Sequence, residues 1–181
     1  MRVLLIILMV LTAPLAAQEV APDSKDNIAG EPPMTLARLQ AILKAIDEDA
    51  ILRGIGAELT IDDVPVLVIA DAPNDRMRAM VPIRSADGMT EAELLRLMQA
   101  NFDTALDARY AVAQGRLWGV FIHPLSPLTR EQLISGLIQT VNVARTYGQA
   151  YTGGAQHFGG GDSNGIYREL LQELLDKGQE L

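Results

Sequence analysis

Residues 117–133 read Leu117-Trp118-Gly119-Val120-Phe121-Ile122-His123-Pro124-Leu125-Ser126-Pro127-Leu128-Thr129-Arg130-Glu131-Gln132-Leu133. From Leu117 to His123 the residues are mainly apolar, β-branched or aromatic, the composition of a strand. Pro124 and Pro127 end it, because proline has no backbone donor and a fixed φ. Thr129 with Gln132 three residues on forms a capping box. Leu133, Leu137, Ile138 and Val141 then recur at helical spacing, and Gly148 stops the helix. A strand thus passes through a proline-marked turn into a capped helix.

Reading outward from this stretch, Tyr110 to Gln114 is a second strand, joined to the first by a hairpin turn at Gly115-Arg116. Before it, Thr90 and Glu93 form another capping box, with Leu94, Leu97, Met98 and Phe102 on one helical face. Three further strands precede that helix: Ala57 to Asp62, Val64 to Ala70 and Met77 to Arg84. Asp62-Asp63 marks a hairpin tip, and Ala72-Pro73-Asn74-Asp75 a second turn. Pro82 lacks a ladder donor, so its strand is expected at an edge or bulged there. The first helix starts near Met34, with Thr35 as N-cap and Leu36, Leu39, Leu43 and Ile46 on one face, and ends around Asp47 to Asp49. The order is helix, three strands, helix, two strands, helix, which is an α+β domain over 34–151.

The rest of the chain is punctuation and address. Arg2, the apolar run Val3 to Leu11, and Ala13-Pro14-Leu15-Ala16-Ala17 have the layout of a signal peptide over 1–17, cut after Ala17. That run is far shorter than the ~20 residues that cross a bilayer. Removing it takes away Arg2 and leaves the mature chain one unit more acidic. A flexible leader follows at 18–33, with Pro22, Gly30, Pro32 and Pro33. Glycines at 153, 154, 159, 160, 161 and 165 make 152–165 a linker. Ile166, Leu170 and Leu174 give 166–181 the pattern of a short amphipathic helix, docked on its own domain or a partner, or else a frayed tail.

Composition narrows the possible roles. The 181 residues fit one ordinary domain plus tails. Hydrophobic residues make up 49% but aromatics only 4%, so the core is aliphatic. Fifteen basic against 23 acidic residues give a net charge of −8, the wrong sign for phosphate backbones or anionic lipid. No cysteine is present, which excludes disulfides, thiolate zinc sites and a lipid anchor through cysteine.

From Met34 to Tyr151 the order of elements resembles the type III secretion chaperone-like fold, including the YbjN-type proteins described as sensory transduction regulators. The resemblance is strongest in Leu117 to Ile122 and Pro124 to Leu133. It implies a five-stranded antiparallel sheet with helices packed on it, commonly dimeric, that binds protein segments and catalyses nothing. Secretion chaperones meet their effectors in the cytoplasm, whereas this chain carries an export signal, so the fold is expected to carry over and the effector-chaperone task is not.

Gly161-Asp162-Ser163-Asn164-Gly165 matches the G-x-S-x-G pattern, but a glycine run stands where that elbow needs a strand. The bases available to Ser163 are His123 and His157. His123 sits at a strand end before proline, where bonding to backbone is the commoner role. His157 lies in the glycine tail, and the two histidines make no zinc signature. Asp47, Glu48 and Asp49, the pair Asp62-Asp63, and Asp162 with Asn164 lack the spacing of a calcium loop and read as a helix end, a turn and solvated surface. Trp118, which shares a predicted strand with Phe121, is expected in the core. No catalytic, cofactor-binding or metal-binding residue is assigned.

The expectation is an exported, periplasmic or secreted non-enzymatic module that binds a peptide segment or partner protein through its sheet or first helix, with a homodimer possible. Nucleic acid and stable membrane insertion are not expected. The alternatives are a sensory or regulatory subunit of an envelope system and, less favoured, a small serine hydrolase using Ser163.

Overall fold

The computed structural model describes residues 30–103, 105–151 and 164–179. The expected signal at 1–17, the leader as far as residue 29, the linker over 152–163, and with it His157, Asp162 and Ser163, lie outside the described residues. Helix α1 spans Leu36–Ile46 and opens at Thr35, whose hydroxyl oxygen accepts from the Arg38 backbone N–H at 3.2 Å. Leu39, Ile42, Leu43 and Ile46 bury its apolar stripe. Asp47 ends the helix and ties it to the sheet, because its carboxylate accepts from the Thr60 N–H at 2.8 Å and the Asp49 N–H at 2.9 Å.

The sheet contains β1 (Ile51–Arg53), β2 (Gly56–Ile61), β3 (Val64–Asp71), β4 (Arg76–Ser85), β5 (Arg109–Ala113) and β6 (Arg116–Pro124). All pairs are antiparallel, in the order β1-β2-β3-β4-β6-β5. It therefore has six strands rather than the five expected. The addition, β1, turns into β2 at Gly54, whose φ of +58° suits glycine. Its three residues are all exposed, so no buried alternation announced it.

Ile61 faces Val64 across the two-residue tip Asp62-Asp63, both at positive φ, which is the geometry of a type I′ hairpin. The β5–β6 tip is Gln114-Gly115, one residue earlier than Gly115-Arg116. Pro82 lies in β4, which runs inside the sheet between β3 and β6, and the ladder slips between Pro82 and Arg84. The strand accommodates its missing donor by a bulge, not by sitting at an edge.

Helices α2 (Glu91–Asp103), α3 (Arg130–Arg145) and α4 (Asn164–Gln179) complete the fold. Both capping boxes form: Thr90 with Glu93, and Thr129 with Gln132. Alternation in each strand turns one set of side chains to the core, among them Leu59, Val66, Val68, Met77, Ala79, Leu117 and Phe121. Helix α3 lies across β6 and β4 on that face, and α4 packs on α1 and α3 with Leu174 buried. Two glycines set how closely α3 approaches β6. A Cβ on Gly136 would come within 2.5 Å of the Phe121 ring, and one on Gly119 within 3.0 Å of the Thr140 carbonyl oxygen. The aliphatic core expected from composition is observed, with Leu, Ile, Val, Met and Ala supplying nearly all of it.

Candidate partner-binding surfaces

The helices cover one face of the sheet, and the other presents Leu67 and Ile69 of β3, Met80 of β4 and Trp118, Val120 and Ile122 of β6. Cross-strand registers place them in rows: Leu67 faces Met80, which faces Val120, and Ile69 faces Arg78, which faces Ile122. Ile69 is 41% and Ile122 56% exposed, and Leu67, Met80, Trp118 and Val120 are half-buried by their neighbours. Trp118 therefore stands outside the core, contrary to expectation. The parity of β6 sends Leu117, Gly119 and Phe121 inward, and the indole follows the other set. Its Nε1–H donates to the Ala113 carbonyl at 3.0 Å, and the Arg116 guanidinium lies 6.0 Å from the ring centroid. Phe121 is buried in the core.

Cations frame this apolar field in an otherwise acidic protein. Arg76, Arg78, Arg109 and Arg116 lie on or beside the uncovered face. Arg76 donates to the Asp75 carbonyl, and Arg109 turns back to the carbonyls of Leu106 and Ala108. The Arg78 side chain has no hydrogen bond or ion pair among the described residues. Beside it a hollow of about 430 Å³ is lined by Ile69, Asp71, Arg76, Arg78 and Ile122.

A second exposed apolar surface runs along α2. Leu97 and Ala100 are buried, while Leu94, Leu95, Met98 and Phe102 face solvent, Phe102 at 85%. Of the apolar residues placed on one face, Leu97 packs inward and Leu94, Met98 and Phe102 do not. The first helix, expected as a binding surface, is occupied: its stripe is buried, and α4 lies against it. Three contacts hold α2 in place. The Asn101 side chain accepts from the Tyr110 N–H at 2.8 Å and donates to the Tyr110 carbonyl at 3.0 Å, filling one position of the β5 edge as a strand would. Arg96 lies 4.7 Å from the centroid of Tyr151, which meets Tyr110 and Tyr147 edge to face. Arg84 donates to the Tyr147 hydroxyl and stands 3.6 Å from Glu93. Burial pushes the Tyr110 phenol well above the ordinary range, and its O–H donates to the Val143 carbonyl at 2.7 Å.

A third feature lies where β5 meets β6. A hollow of about 470 Å³ is lined by Asp107, Arg109, Phe121 to His123, Glu131, Gln132 and Ser135. It brings a histidine, a serine and two carboxylates to one place, but not into a relay. Nδ1 of His123 lies 2.7 Å from the Pro124 carbonyl oxygen and so carries the hydrogen that it donates. Among the described residues its other contact is the Phe121 ring, stacked at 5.9 Å, and no hydrogen bond joins it to Ser135, Asp107 or Glu131.

The acidic residues singled out from sequence serve the scaffold. Asp47 and Asp49 sit at the end of α1, and Lys44 donates to the Glu48 carbonyl at 2.7 Å. Asp62 pairs with Arg145 across the hairpin tip. Gln139 and Asn101 passed unnoticed at the sequence level, where nothing distinguishes a polar residue inside a helix that finds a partner from a solvated one, and so did Arg78 on its strand.

No family model matches the chain, and no curated protein does. Among solved structures it is similar to a chain of the ExsC-ExsE complex, at 16% identity and a TM-score of 0.50, over 63% of this chain and 93% of that one. It is also similar to the Yersinia pestis type III secretion chaperone SycH in complex with a stable fragment of YscM2, at 16% identity and a TM-score of 0.45, over 59% and 96%. The first likeness shows the fold: α+β, of the type III secretion chaperone-like kind.

Proposed function

We propose that this chain is an exported, non-enzymatic protein-interaction module, working in the periplasm or outside the cell, that holds a segment of a partner protein. The observation that carries the reading is the sheet face left bare by the helices, an apolar field from Ile69 to Ile122 with Arg78, whose side chain has no partner among the described residues, between them. An apolar patch rimmed by charge is the usual mark of an interaction site. The segment it fits carries apolar residues for Leu67, Met80 and Val120 and an acidic one for Arg78. That the solved chains similar in fold were captured with ExsE and with a YscM2 fragment agrees with a partner-holding role. Kinship with YbjN-type regulators belongs to the same proposal, since a regulator also acts by holding a partner.

The stripe on α2 is assigned to a second copy of this chain. In a two-fold contact the same patch meets itself, and an uncharged apolar patch does so without like-charge repulsion. Leu94, Leu95, Met98 and Phe102 are such a patch on a chain of net charge −8.

A photo-reactive residue placed at Met80 or Ile122 tests the bare face in cells that export the chain. An adduct of one defined mass is expected from both positions, absent from exposed Asp87 and lost on Arg78→Glu. No adduct, or an equal one from Asp87, contradicts the proposal.

A further inference from the structure

The two halves of α2 are fastened differently. The C-terminal half packs on the body of the fold, with Leu97 and Ala100 buried and Asn101 bonded to the β5 backbone. The N-terminal half, residues 91–96, buries no side chain. Two polar arms fasten it instead. Glu93 stands 3.6 Å from Arg84, which donates to the Tyr147 hydroxyl at 3.2 Å. One turn on from Glu93, the Arg96 guanidinium lies 4.7 Å from the ring centroid of Tyr151. Both arms reach the short segment that follows α3.

That segment winds back on itself. The N–H groups of Gln149 and Tyr151 both donate to the Thr146 carbonyl, at 3.1 and 2.9 Å. Gly148 takes a φ of +78° without strain, but Tyr151 also sits at positive φ, +51°, where its Cβ crowds the following carbonyl. A bulky residue keeps such a conformation only where its surroundings hold it there. Here the ring is held on three sides. Its centroid lies 5.8 Å from that of Tyr147 and 6.1 Å from that of Tyr110, both edge to face, and Arg96 lies over it.

Tyrosine and arginine thus hold each other. Arg96 helps to offset the strain at Tyr151, and Tyr151 fixes the half of α2 that has no buried anchor. We infer that Tyr151 is a latch for α2. Seated, it holds the helix where Leu94, Leu95 and Met98 meet a second copy; released, it lets residues 91–96 move and weakens pairing. The inference rests on the reading of α2 as the contact between copies and names what positions that contact. Tyr151 acts through Arg96, so it is a positioning residue. The coupling runs both ways, because a second copy that fixes α2 must seat Tyr151 more firmly by the same factor.

Variants of the full mature chain test it. Tyr151→Gly removes the ring and leaves the left-handed backbone at ease, and Arg96→Gln removes the charge from the other side. Each should raise the dimer dissociation constant about fivefold in sedimentation equilibrium, the size of one cation–π contact. The double variant should pair no more weakly than either single one, since both remove the same contact. Arg96→Lys and Tyr151→Phe keep a cation and a ring, and should hold pairing within about twofold of the parent. In hydrogen exchange on diluted, single chains, residues 91–96 of both single variants should open about fivefold faster, with α1 and α3 unchanged. Additive losses in the double variant, unchanged pairing in both single variants, or faster exchange spread to α1 and α3 overturns the inference. A parent that never pairs refutes the contact between copies, whereas unchanged exchange at residues 91–96 refutes the latch.

Discussion

Helices α1 and α2 carry the same kind of signal and meet opposite fates. Each has a threonine cap and leucines at helical spacing. Yet α1 buries Leu39, Ile42, Leu43 and Ile46 beneath its own chain, whereas α2 buries Leu97 and Ala100 and turns Leu94, Leu95, Met98 and Phe102 to solvent. Amphipathic spacing states that a face needs covering; it does not state whether the cover belongs to the same chain. In α1 the cover is the sheet and α4, and in α2 it is assigned to another molecule.

Cavity formation should separate the two helices most sharply. Leu43→Ala removes side-chain atoms from a fully buried site and should cost about 2–5 kcal/mol in urea unfolding. Phe102→Ala, at a site 85% exposed, should change monomer stability by less than about 0.5 kcal/mol. A comparable loss at Phe102 in the isolated monomer breaks the comparison. Next in size is Gly136→Ala, which forces a methyl group against the Phe121 ring and should cost about 1–3 kcal/mol by the same measurement. Its effect should appear as loosened packing of α3 on β6, with α2 unaffected.

Removing caps sharpens the contrast at smaller scale. Thr35→Ala and Thr90→Ala each delete an N-cap hydroxyl, worth about 1 kcal/mol. Hydrogen exchange should register Thr90→Ala as faster opening of α2 alone, since few of its side chains are tied to the core. Thr35→Ala should be felt by the whole domain, because α1 is packed along its length.

The smallest effect is in acid. Backbone and side-chain hydrogen bonds from Ser126 hold the Asp75 carboxyl below its ordinary range. A group depressed in the folded state stabilises above its unfolded pKa, and that contribution is lost as pH falls through the folded value. Asp75→Asn should therefore lower stability near neutral pH and flatten the acid limb of the unfolding midpoint against pH. An unchanged acid limb would remove Asp75 from the account.

Much of the architecture was legible in the residues themselves. Thr129 with Gln132 and Thr90 with Glu93 located two helix starts, and Asp62-Asp63 located a hairpin, because each is a local arrangement with few alternatives. What failed depended on parity or on distant partners. Trp118 was expected inside, but β6 is apolar on both faces, so alternation alone could not tell which set points inward. β1 is short and wholly exposed, so it leaves no periodic trace. The binding surfaces were least legible of all. Arg78 stands on the bare face, and Gln139 bonds Asp107 and Ala108, only because of where other segments lie.

Sedimentation equilibrium of the mature chain, beside the double variant Leu95→Arg/Phe102→Arg, tests most directly whether the uncovered surface is an interface. The account predicts a particle of two chains for the parent and of one chain for the variant, with unfolding of the variant monomer unperturbed. A parent that stays single at every concentration, or a variant that still pairs, contradicts it.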